Sequence, residues 1–424
     1  MNMLRRYLPR WMLVLAALIA LWQSYRAHRS VREMHPPDEV PLPEPAPRVS
    51  IILPVRNEEA NIDTCVASLL AQDYPDFDLT IIDDGSTDAT PQLLAAWQAR
   101  DGRVHVHRVD QLPCGWAGKA HALHTGIELT CGEWLLFTDA DTWHAPRTLR
   151  LMVGHALQQQ NDLLSMHTNV MTIAGPAMPL LMPITEVLLA LRMTPSEMSD
   201  PASPRAFAFG QYILLRRDAY LATGGYAAVD MRGTSIDDLA LAEQFKRHKQ
   251  RVEVVNGRGL IKNRQWATWQ SARYGWRKSY YGVIIRNHIP LAGLPVAPAF
   301  FAYALGPLAV LLRALCTGKV RRSSVLLAGI TVLAQIDARR CFDRVYDLAL
   351  PWSLTTPAGW LVCGVLALDT TLLHLTGRPV NWKGRQLPRQ VAPPYRSRKD
   401  RCLTCAEPAH HERTVSTAYR GWGQ

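Results

Sequence analysis

The sequence predicts a doubly wound α/β domain followed by apolar helices. Short apolar runs alternate with segments of helical periodicity, several of these runs end in acidic residues, and long uncharged stretches follow near residue 290 and near residue 350. Strands and helices that alternate at this spacing favour a mostly parallel sheet covered by helices. Ligands bind beyond the carboxyl ends of strands in such sheets, so the acidic residues found there are the first candidates for a site.

The elements of the domain follow from apolar patterning. Strands are predicted over residues 49–55, 79–82, 104–109, 134–137 and 207–215. A helix is predicted from residue 58, with apolar residues at helical spacing up to residue 70, and further helices are predicted over residues 90–99, 119–129 and 239–249. Asn57 precedes two acidic residues, which predicts that it caps the N-terminus of the first of these helices. Asp237 and Asp238 lie at the start of the last helix, where the helix dipole favours negative charge.

Two aspartates one residue apart end the fourth predicted strand. The run Trp134–Phe137 is followed by Asp139 and Asp141. Two carboxylates at a strand end cost desolvation energy unless a positive group compensates them. Hard oxygen ligands suit Mg²⁺ or Mn²⁺, which usually share their coordination shell with substrate phosphates. The alternative is a solvated turn, because Asp-x-Asp by itself is short and common.

The positive charge is concentrated at the two ends of the chain. The 424 residues carry a net charge of +11. Residues 1–34 hold six arginines against one glutamate, and residues 381–424 hold nine lysines and arginines against three acids, so the segment between them is balanced. A basic nucleic-acid-binding protein would carry this charge on its working domain. Charge beside apolar segments instead indicates membrane flanks.

Four apolar segments are candidates for membrane helices. Residues 11–25 form a helix of only about 22 Å, short for a hydrocarbon core of roughly 30 Å, yet they are followed by arginines rather than a cleavage site. We therefore expect an uncleaved anchor over residues 1–34 rather than a signal peptide. Residues 289–312 and 348–368 are long enough to span. Residues 323–336 are shorter, and a re-entrant, interfacial or short spanning segment remains open, as does a buried core helix.

An ordered set of motifs carries a family resemblance. The motifs are Leu-Pro-Val-Arg-Asn-Glu (53–58), Asp-Asp-Gly-Ser-Thr-Asp (83–88), Gly-Trp-Ala-Gly-Lys (115–119), Thr-Asp-Ala-Asp (138–141), Phe-Gly-Gln (209–211), Gly-Gly-Tyr (224–226) and Ile-Asp-Asp-Leu-Ala-Leu-Ala (236–242). This order resembles the family 2 inverting glycosyltransferases, which have a nucleotide-diphospho-sugar transferase (GT-A) fold, over about residues 48–285. Residues 115–119, 210–214 and 381–385 look most like the membrane-bound branches that glycosylate lipids, the carotenoid and hopene-associated enzymes.

The resemblance implies a role for each acidic motif. Asp84, or its neighbour Asp83, would face the uracil or ribose of the donor. Asp139 and Asp141 would hold Mg²⁺ or Mn²⁺ at the donor diphosphate, with Asp141 the more direct ligand. Asp238 would be the general base, and Asp237 stands where the family usually has glutamate.

Other residues are assigned by the same resemblance to the two substrate sides. Glu58 and Lys119 belong to the donor side, although a solvated lysine is the alternative for Lys119. Gly210 and Gln211 belong to the acceptor side, with a plain strand turn as the alternative. In the segment before the first long apolar stretch, residues 270–274 are a near match to the Gln-x-x-Arg-Trp motif of processive enzymes, and the alternative alignment uses residues 275–278, as in lipid-glycosylating relatives. Either alignment places three residues near pyrophosphate or lipid: Arg273, Trp276 and Lys278.

The chain is therefore expected to have five parts: an anchor (1–34), a proline-rich linker (35–47), a catalytic domain (48–285), membrane helices (286–375) and a basic cytoplasmic tail (376–424). The Cys-x-x-Cys of this tail, with two histidines after it, is a zinc candidate, but a solvated tail is favoured because no strand-turn-helix context surrounds it.

The resemblance implies transfer of one sugar from a nucleotide-diphospho-sugar, most simply a UDP-sugar, to a hydroxyl or carboxylate of a membrane lipid. It implies a multi-pass protein of the bacterial inner membrane whose catalytic domain is cytoplasmic and does not bind nucleic acid. A processive polysaccharide synthase and a catalytically inactive membrane scaffold of the same fold are the alternatives.

Overall fold

The structure is a computed structural model that describes residues 2–170, 175–264, 268–287, 289, 291–378, 380–383 and 385–386. The Cys-x-x-Cys zinc candidate and the rest of the chain beyond residue 386 lie outside the described residues.

Twelve strands are assigned in the described part of the chain. They are β1 (Val49–Val55), β2 (Phe77–Asp83), β3 (Val104–Arg108), β4 (Trp134–Thr138), β5 (Thr142–His144), β6 (Leu163–His167), β7 (Asn169–Val170), β8 (Tyr212–Arg216), β9 (Val252–Asn256), β10 (Ile261–Asn263), β11 (Asn381–Trp382) and β12 (Arg385–Gln386). Seven form one sheet in the order β3-β2-β1-β4-β8-β6-β9, β5, β10 and β7 form a small second sheet, and β11 and β12 form a hairpin.

The α-helices comprise the helices of the sheet domain and a separate helical body. They are α1 (Asn2–Glu33), α2 (Ile62–Leu70), α3 (Thr90–Arg100), α4 (Gly118–Glu128), α5 (Thr148–Gln159), α6 (Ala177–Arg192), α7 (Pro195–Ser199), α8 (Arg217–Ala222), α9 (Val229–Arg232), α10 (Asp237–Arg247), α11 (Trp269–Arg286), α12 (Gly293–Thr317), α13 (Arg322–Val345), α14 (Leu350–Ser353) and α15 (Thr356–Leu375).

The large sheet confirms the predicted doubly wound, mostly parallel architecture. β1 lies parallel to both β2 and β4, while β8 runs antiparallel between β4 and β6. Both faces of β1 are buried: Ile51 and Leu53 pack into one hydrophobic core, and Ile52 packs into the other. Burial on both faces explains why these strands are continuous apolar runs rather than alternating ones. The carboxyl ends of β1, β2 and β4 consequently meet at one edge of the sheet.

The expected helix cap at Asn57 is wrong, because the helix begins five residues later, at Ile62. Asn57 has a left-handed φ of +52°, a conformation that asparagine tolerates better than most residues. Its Oδ1 accepts a hydrogen bond of 2.8 Å from the backbone N–H of Thr87. The side chain therefore joins the loop after β1 to the loop after β2 instead of capping a helix.

The proline-rich segment 35–47 lies against the sheet domain. The carbonyl of His35 accepts a hydrogen bond of 2.7 Å from the N–H of Asn256. The carbonyl of Pro47 accepts one of 2.6 Å from the hydroxyl of Tyr74. These contacts at both ends hold the segment on the domain surface, which reduces its freedom as a spacer.

The helical body contains two helices with the length and composition of membrane spans. Among the described residues, α12 has 25 residues and α15 has 20, and both are long and apolar enough to cross a membrane. They measure about 37 Å and about 30 Å at 1.5 Å per residue, against a hydrocarbon core of roughly 30 Å. The shorter predicted segment, residues 323–336, is part of the continuous helix α13, which also carries Arg339 and Asp343. The helices pack together around the buried ring of Trp360.

The N-terminal helix α1 has one polar docking site and one apolar outer face. The buried guanidinium of Arg26 donates to Glu197 at 2.7 and 2.9 Å and to the carbonyl of Ala190 at 2.8 Å. Large apolar side chains are exposed at helical spacing along the outer face, namely Trp11, Leu15, Leu18 and Trp22, and the guanidinium of Arg26 lies over the ring of Trp22. Among the described residues α1 is not one of the two helices with the length and hydropathy of a membrane span, so the anchor over residues 1–34 stays a prediction.

Removing the carboxylate of Asp343 is expected to destabilise the helical body strongly. Arg339 and Asp343 are both fully buried and lie 3.3 Å apart, and Arg339 also donates to the carbonyl of Pro179 on α6 at 2.6 Å. Asp343→Ala leaves a buried cation without its partner, which typically costs about 3–5 kcal/mol. Equilibrium unfolding in detergent measures this loss.

Asp347→Ala is the matched control, because Asp347 pairs with Arg258 at the surface and both side chains are more than half exposed. Exposed pairs contribute about 0–1 kcal/mol. Equal effects of the two substitutions would contradict the buried pair as a determinant of stability.

Candidate active site

A single cleft of about 780 Å³ opens at the carboxyl edge of the large sheet. It is bounded by the ends of β1, β2 and β4, by the N-termini of α4 and α10, and by one face of α11. Six carboxylates line it: Glu58, Asp84, Asp139, Asp141, Asp237 and Asp238. Six cationic side chains also line it: Arg56, Lys119, Arg264, Lys278, Lys383 and Arg385. The cleft therefore collects ten charged groups from the sheet domain and two from the C-terminal hairpin.

The loop with Asp139 and Asp141 is held by a buried neutral cluster. The hydroxyl of Thr138 donates to the carbonyl of Gln211 at 2.7 Å, and the hydroxyl of Thr142 donates to the carbonyl of Asp139 at 2.7 Å. Both hydroxyls lie within 3.1 Å of Nε2 of His144. Burial lowers the pKa of His144 to about 3, so the ring is neutral at physiological pH. The loop that positions the two carboxylates is therefore held by neutral groups of this cluster.

Lys119 links the strand-end carboxylates to those of α10. Its Nζ lies 2.7 Å from Oδ1 of Asp139 and 3.5 Å from Oδ2 of Asp237. Burial would lower the pKa of Lys119, but the charges of Asp139, Asp237 and Asp238 outweigh this and raise it. Lys119 is therefore a permanent cation of the cleft, not the solvated lysine considered as an alternative.

The charge of the Asp141 carboxylate is not fully compensated by neighbouring cations. Burial, followed by the charges of Asp139 and Glu58, raises the pKa of Asp141 to about 7. No cluster of three or more histidine, cysteine, aspartate or glutamate residues suited to a metal occurs among the described residues. Asp139 and Asp141 fit a hard cation that takes two oxygens from the protein and its other ligands from phosphate and water. Such a cation would also relieve the charge that raises the pKa of Asp141.

Asp238 lies in the first turn of α10, against the Phe-Gly-Gln segment. Its Oδ1 accepts a hydrogen bond of 2.8 Å from the N–H of Leu239, and its Oδ2 accepts one of 3.3 Å from the N–H of Gly210. Burial, followed by the charge of Asp237, raises the pKa of Asp238 above its ordinary value. A side chain at position 210 would place its Cβ 3.2 Å from both Oδ2 of Asp238 and Nζ of Lys119. Glycine therefore lets the backbone approach both charged groups.

Only the second aspartate of the Asp83–Asp84 pair faces the cleft. Asp83 accepts from Nη1 of Arg108 at 2.8 Å and from the N–H of Ser86 at 2.9 Å, so it holds the turn after β2. Asp84 lines the cleft and contacts Arg385. Oδ1 of Asp84 is buried and has no hydrogen-bond partner in the part of the chain that the structure describes. An unsatisfied buried acceptor at a cleft wall is a binding position for an N–H or O–H donor.

Of the three residues of helix α11 that were predicted to lie near pyrophosphate or lipid, only Lys278 lines the cleft. Lys278 lines the cleft together with residues 271, 274 and 275, a spacing that marks one helical face. Arg273 donates to Asp369 on α15 at 3.0 Å, and Trp276 is buried beside Tyr280, with ring centroids 5.3 Å apart. Arg273 and Trp276 therefore face the helical body rather than the cleft.

Several cleft residues were not singled out by the sequence interpretation. Arg56 belongs to the Leu-Pro-Val-Arg-Asn-Glu motif but received no role; Arg264 donates its N–H to the carbonyl of Asp141 at 2.8 Å. Lys383 and Arg385 belong to the terminal motif 381–385, which supported only the family resemblance. Nothing local in the sequence indicates that this distant motif reaches the loops after β1 and β2.

Part of the chain is similar to known proteins. Residues 50–221 match the family described as Glycosyl transferase family 2. The 4,4'-diaponeurosporenoate glycosyltransferases of Staphylococcus aureus strains USA300 and NCTC 8325 are 28% identical over 236 residues. The match spans 54% of this chain and 60% of the relatives' length.

Two solved structures resemble the chain more distantly. A mannosyltransferase from Pyrobaculum calidifontis, in complex with GDP-Man and Mn²⁺, is 20% identical with a TM-score of 0.49, and the match covers 87% of this chain and 89% of that one. TarS 1–349 of S. aureus, in complex with UDP-GlcNAc, is 15% identical with a TM-score of 0.38, over 79% of this chain and 93% of that one.

The order and direction of the seven strands are those of the nucleotide-diphospho-sugar transferase (GT-A) fold that the motifs implied. The family match covers β1 to β8, the part of the chain that provides Glu58, Asp84, Lys119, Asp139 and Asp141. Residues 50–221, which carry these five residues, are therefore similar to the family 2 glycosyltransferases.

Proposed function

We propose that the chain is a metal-dependent, inverting glycosyltransferase that moves one sugar from a nucleotide-diphospho-sugar, most simply a UDP-sugar, to a hydroxyl or carboxylate of a membrane lipid. One observation carries the proposal. The cleft brings the Asp139–Asp141 pair and the half-buried carboxylate of Asp238 together, and Lys119 contacts Asp139 and Asp237 between them. Transfer from a nucleotide-diphospho-sugar requires compensation of the negative charge on the leaving diphosphate and a base that accepts the acceptor's proton, and these residues can supply both.

The donor is held by the sheet side of the cleft. The unpaired Oδ1 of Asp84 is placed to accept a hydrogen bond from the base or ribose. Asp139 and Asp141 would hold Mg²⁺ or Mn²⁺, which neutralises the charge that develops on the departing diphosphate. Lys119 adds a fixed positive charge beside Asp139, and its N–H groups suit phosphate oxygens. Glu58 contributes by fixing the position of Lys383 at the same wall.

Asp238 is the proposed general base. An acceptor hydroxyl must lose its proton as it attacks the anomeric carbon, and a positioned carboxylate accelerates this by about 10²–10⁴-fold. The raised pKa of Asp238 makes it a stronger base than a solvated aspartate. Attack on the face opposite the leaving diphosphate inverts the anomeric centre without a covalent intermediate, so one base is sufficient. The backbone N–H of Gly210 and the neighbouring Gln211 border the acceptor side.

A membrane lipid is the acceptor class that the helical body favours. The similar S. aureus proteins are named for 4,4'-diaponeurosporenoate, a carboxylate by its name. Helix α11 borders the cleft and leads directly to α12, one of the two described helices suited to span a membrane. Arg273, the arginine of the near match to the processive motif, donates to Asp369 on α15 instead of facing the cleft. This favours a single transfer over chain elongation.

The proposed location is the bacterial inner membrane, crossed by several helices. Nucleotide sugars are made in the cytoplasm, which places the cleft on the cytoplasmic side. An even number of crossings after residue 289 keeps the hairpin at residues 381–386 on the same side as the cleft, as their contact requires.

The direct test uses the purified full chain in detergent with Mn²⁺. UDP-glucose, UDP-GlcNAc and GDP-mannose are offered in turn with 4,4'-diaponeurosporenoate or with bacterial polar lipids, and products are analysed by mass spectrometry and by NMR of the anomeric proton. We expect a lipid that carries one sugar of inverted configuration. Products with several sugars would favour a processive synthase, and absence of nucleotide-sugar binding would favour an inactive scaffold.

Asp238→Asn is expected to lower kcat by about 10²–10⁴-fold while leaving the affinity for the donor nucleotide nearly unchanged. The wild-type rate should fall about tenfold per pH unit below the pKa of Asp238, because only the ionised carboxylate accepts a proton. Initial rates against pH and titration with the nucleotide measure both effects. Asp218→Asn is the matched control: Asp218 also lies in a first helical turn, but its side chain is 70% exposed. A similar loss in both variants would contradict the assignment of the base.

Asp139→Asn and Asp141→Asn are each expected to abolish Mn²⁺-dependent binding of nucleoside diphosphate, because the proposed metal takes its two protein oxygens from these carboxylates, and the described residues contain no cluster of three or more such ligands. Chelation of the metal should have the same effect on the wild-type chain. Calorimetric titration with and without Mn²⁺ checks the expectation, and the exposed Asp110→Asn provides the control. Metal-independent binding and turnover would show that the acids have another role.

Gly118→Ala is expected to weaken donor binding at least tenfold, an effect of about 1.4 kcal/mol or more. The added Cβ would lie 2.3 Å from Oδ2 of Asp84, so this carboxylate must leave its position at the cleft wall. Gly102→Ala is the control, since nothing lies within 4 Å of its added Cβ. Equal nucleotide affinity in the wild type and Gly118→Ala would exclude Asp84 from the donor site.

A further inference from the structure

The hairpin of β11 and β12 lies against the donor wall of the cleft, just after the last long helix. The ammonium of Lys383 contacts the carboxylate of Glu58 and donates to the carbonyl of Arg56 at 3.2 Å. The carbonyl of Lys383 in turn accepts from Nε of Arg56 at 3.0 Å. Arg385 contacts the carboxylate of Asp84 and donates to its carbonyl at 3.3 Å. Two residues of the hairpin thus join two acids that follow β1 and β2.

The hairpin changes the charge balance of the cleft. Lys383 and Arg385 are two of the six cationic side chains that line it, against six carboxylates. Without them the described wall would carry two more negative than positive groups. A diphosphate, itself an anion, would then meet a wall with four cationic and six anionic side chains. The hairpin brings the wall to neutrality before a metal adds its two positive charges, so an anionic donor meets a net positive site.

The geometry of the two pairs favours a ligand role over plain surface ion pairs. The acids are nearly buried, with Glu58 at 11% and Asp84 at 7% exposure, while Lys383 at 34% and Arg385 at 26% remain accessible from the cleft. An arginine has five N–H donors, and two nitrogens of Arg385 are engaged in the described contacts. The remaining donors lie in a planar fork that suits two phosphate oxygens.

We propose that residues 381–386 form a clasp that binds the diphosphate of the donor through Lys383 and Arg385 and ties donor binding to the position of helix α15. The inference rests on the proposed function, because it names further ligands of the same donor. Glu58 and Asp84 hold the two cations in place before the donor arrives. Only five residues separate the end of α15 from the hairpin, so the clasp cannot move far from that helix.

The test measures binding of UDP and GDP, each with Mn²⁺, to the full chain in detergent by calorimetry. Loss of a hydrogen bond between charged groups costs about 1.5–3 kcal/mol, so Lys383→Gln and Arg385→Gln should each raise Kd about tenfold to a hundredfold for the nucleotide that the wild type binds. The increase should be smaller for the corresponding monophosphate, which lacks one of the two phosphates. Lys383→Arg retains the charge and should restore most of the affinity.

Arg378→Gln is the matched control, because it removes one positive charge from the same segment outside the cleft and should leave Kd unchanged. If the pairs only stabilise the fold, Lys383→Gln and Arg385→Gln will lower the unfolding temperature without changing Kd, and the proposal is overturned. A lower Kd would show that the hairpin obstructs the donor, which also overturns it. Equal losses for diphosphate and monophosphate would place the contacts elsewhere on the nucleotide.

The binding measurements on the wild-type chain and on the hairpin variants distinguish failure of the clasp from failure of the proposed function. A wild-type chain that binds neither UDP nor GDP contradicts the proposed function and the clasp together. A wild-type chain that binds one of them, with unchanged affinity in the hairpin variants, contradicts the clasp alone.

Discussion

Compensation of carboxylates at one edge of the sheet is the constraint on which the rest of the structure depends. Parallel packing of β1, β2 and β4 brings their carboxyl ends together, and each is followed by acids that enter one cleft. Like charges at close range in a partly buried site are unfavourable unless cations or a metal separate them. Lys119 lies between Asp139 and Asp237 and is the centre of this compensation. Lys119 lies in the first turn of α4. The residue before it is Gly118, which packs so closely against Asp84 that a Cβ would not fit there.

The same constraint explains how the helical body and the sheet domain work as one unit. Helix α11 contributes Lys278 on one face and the Arg273 and Arg277 contacts to Asp369 on the other. One helix therefore neutralises the cleft and binds α15 at the same time. Asp369 accepts from both arginines at 2.5–3.0 Å, and these charge-assisted bonds hold the face of α11 that the cleft uses. If the acceptor is the proposed lipid, it would reach the cleft beside the face of α11 that carries Lys278.

The sheet and its acidic loops were predictable because their signals are local. The apolar run of β1 and the stop at Asp139 and Asp141 need only neighbouring residues to be recognised, and the structure confirms the fold that they predicted. The prediction for Asn57 was wrong because asparagine is common both at helix caps and in left-handed loop positions. The hydrogen bond to Thr87, 30 residues away, holds it in the loop position. Arg273 and Trp276 were placed by a motif, whereas the rotation of α11 is set by packing against α15. Arg385 lies 301 residues beyond Asp84, and a contact over that distance depends on the path of every helix between them.

The position of the hairpin in the chain has a consequence for biosynthesis. Residues 381–386 leave the ribosome after all fifteen described α-helices, α1 to α15, have been made. Until then the cleft lacks two of its six cations, and the acids at Glu58 and Asp84 have no partner from the hairpin. The nascent chain therefore has an incomplete cleft wall until residues 381–386 have been made.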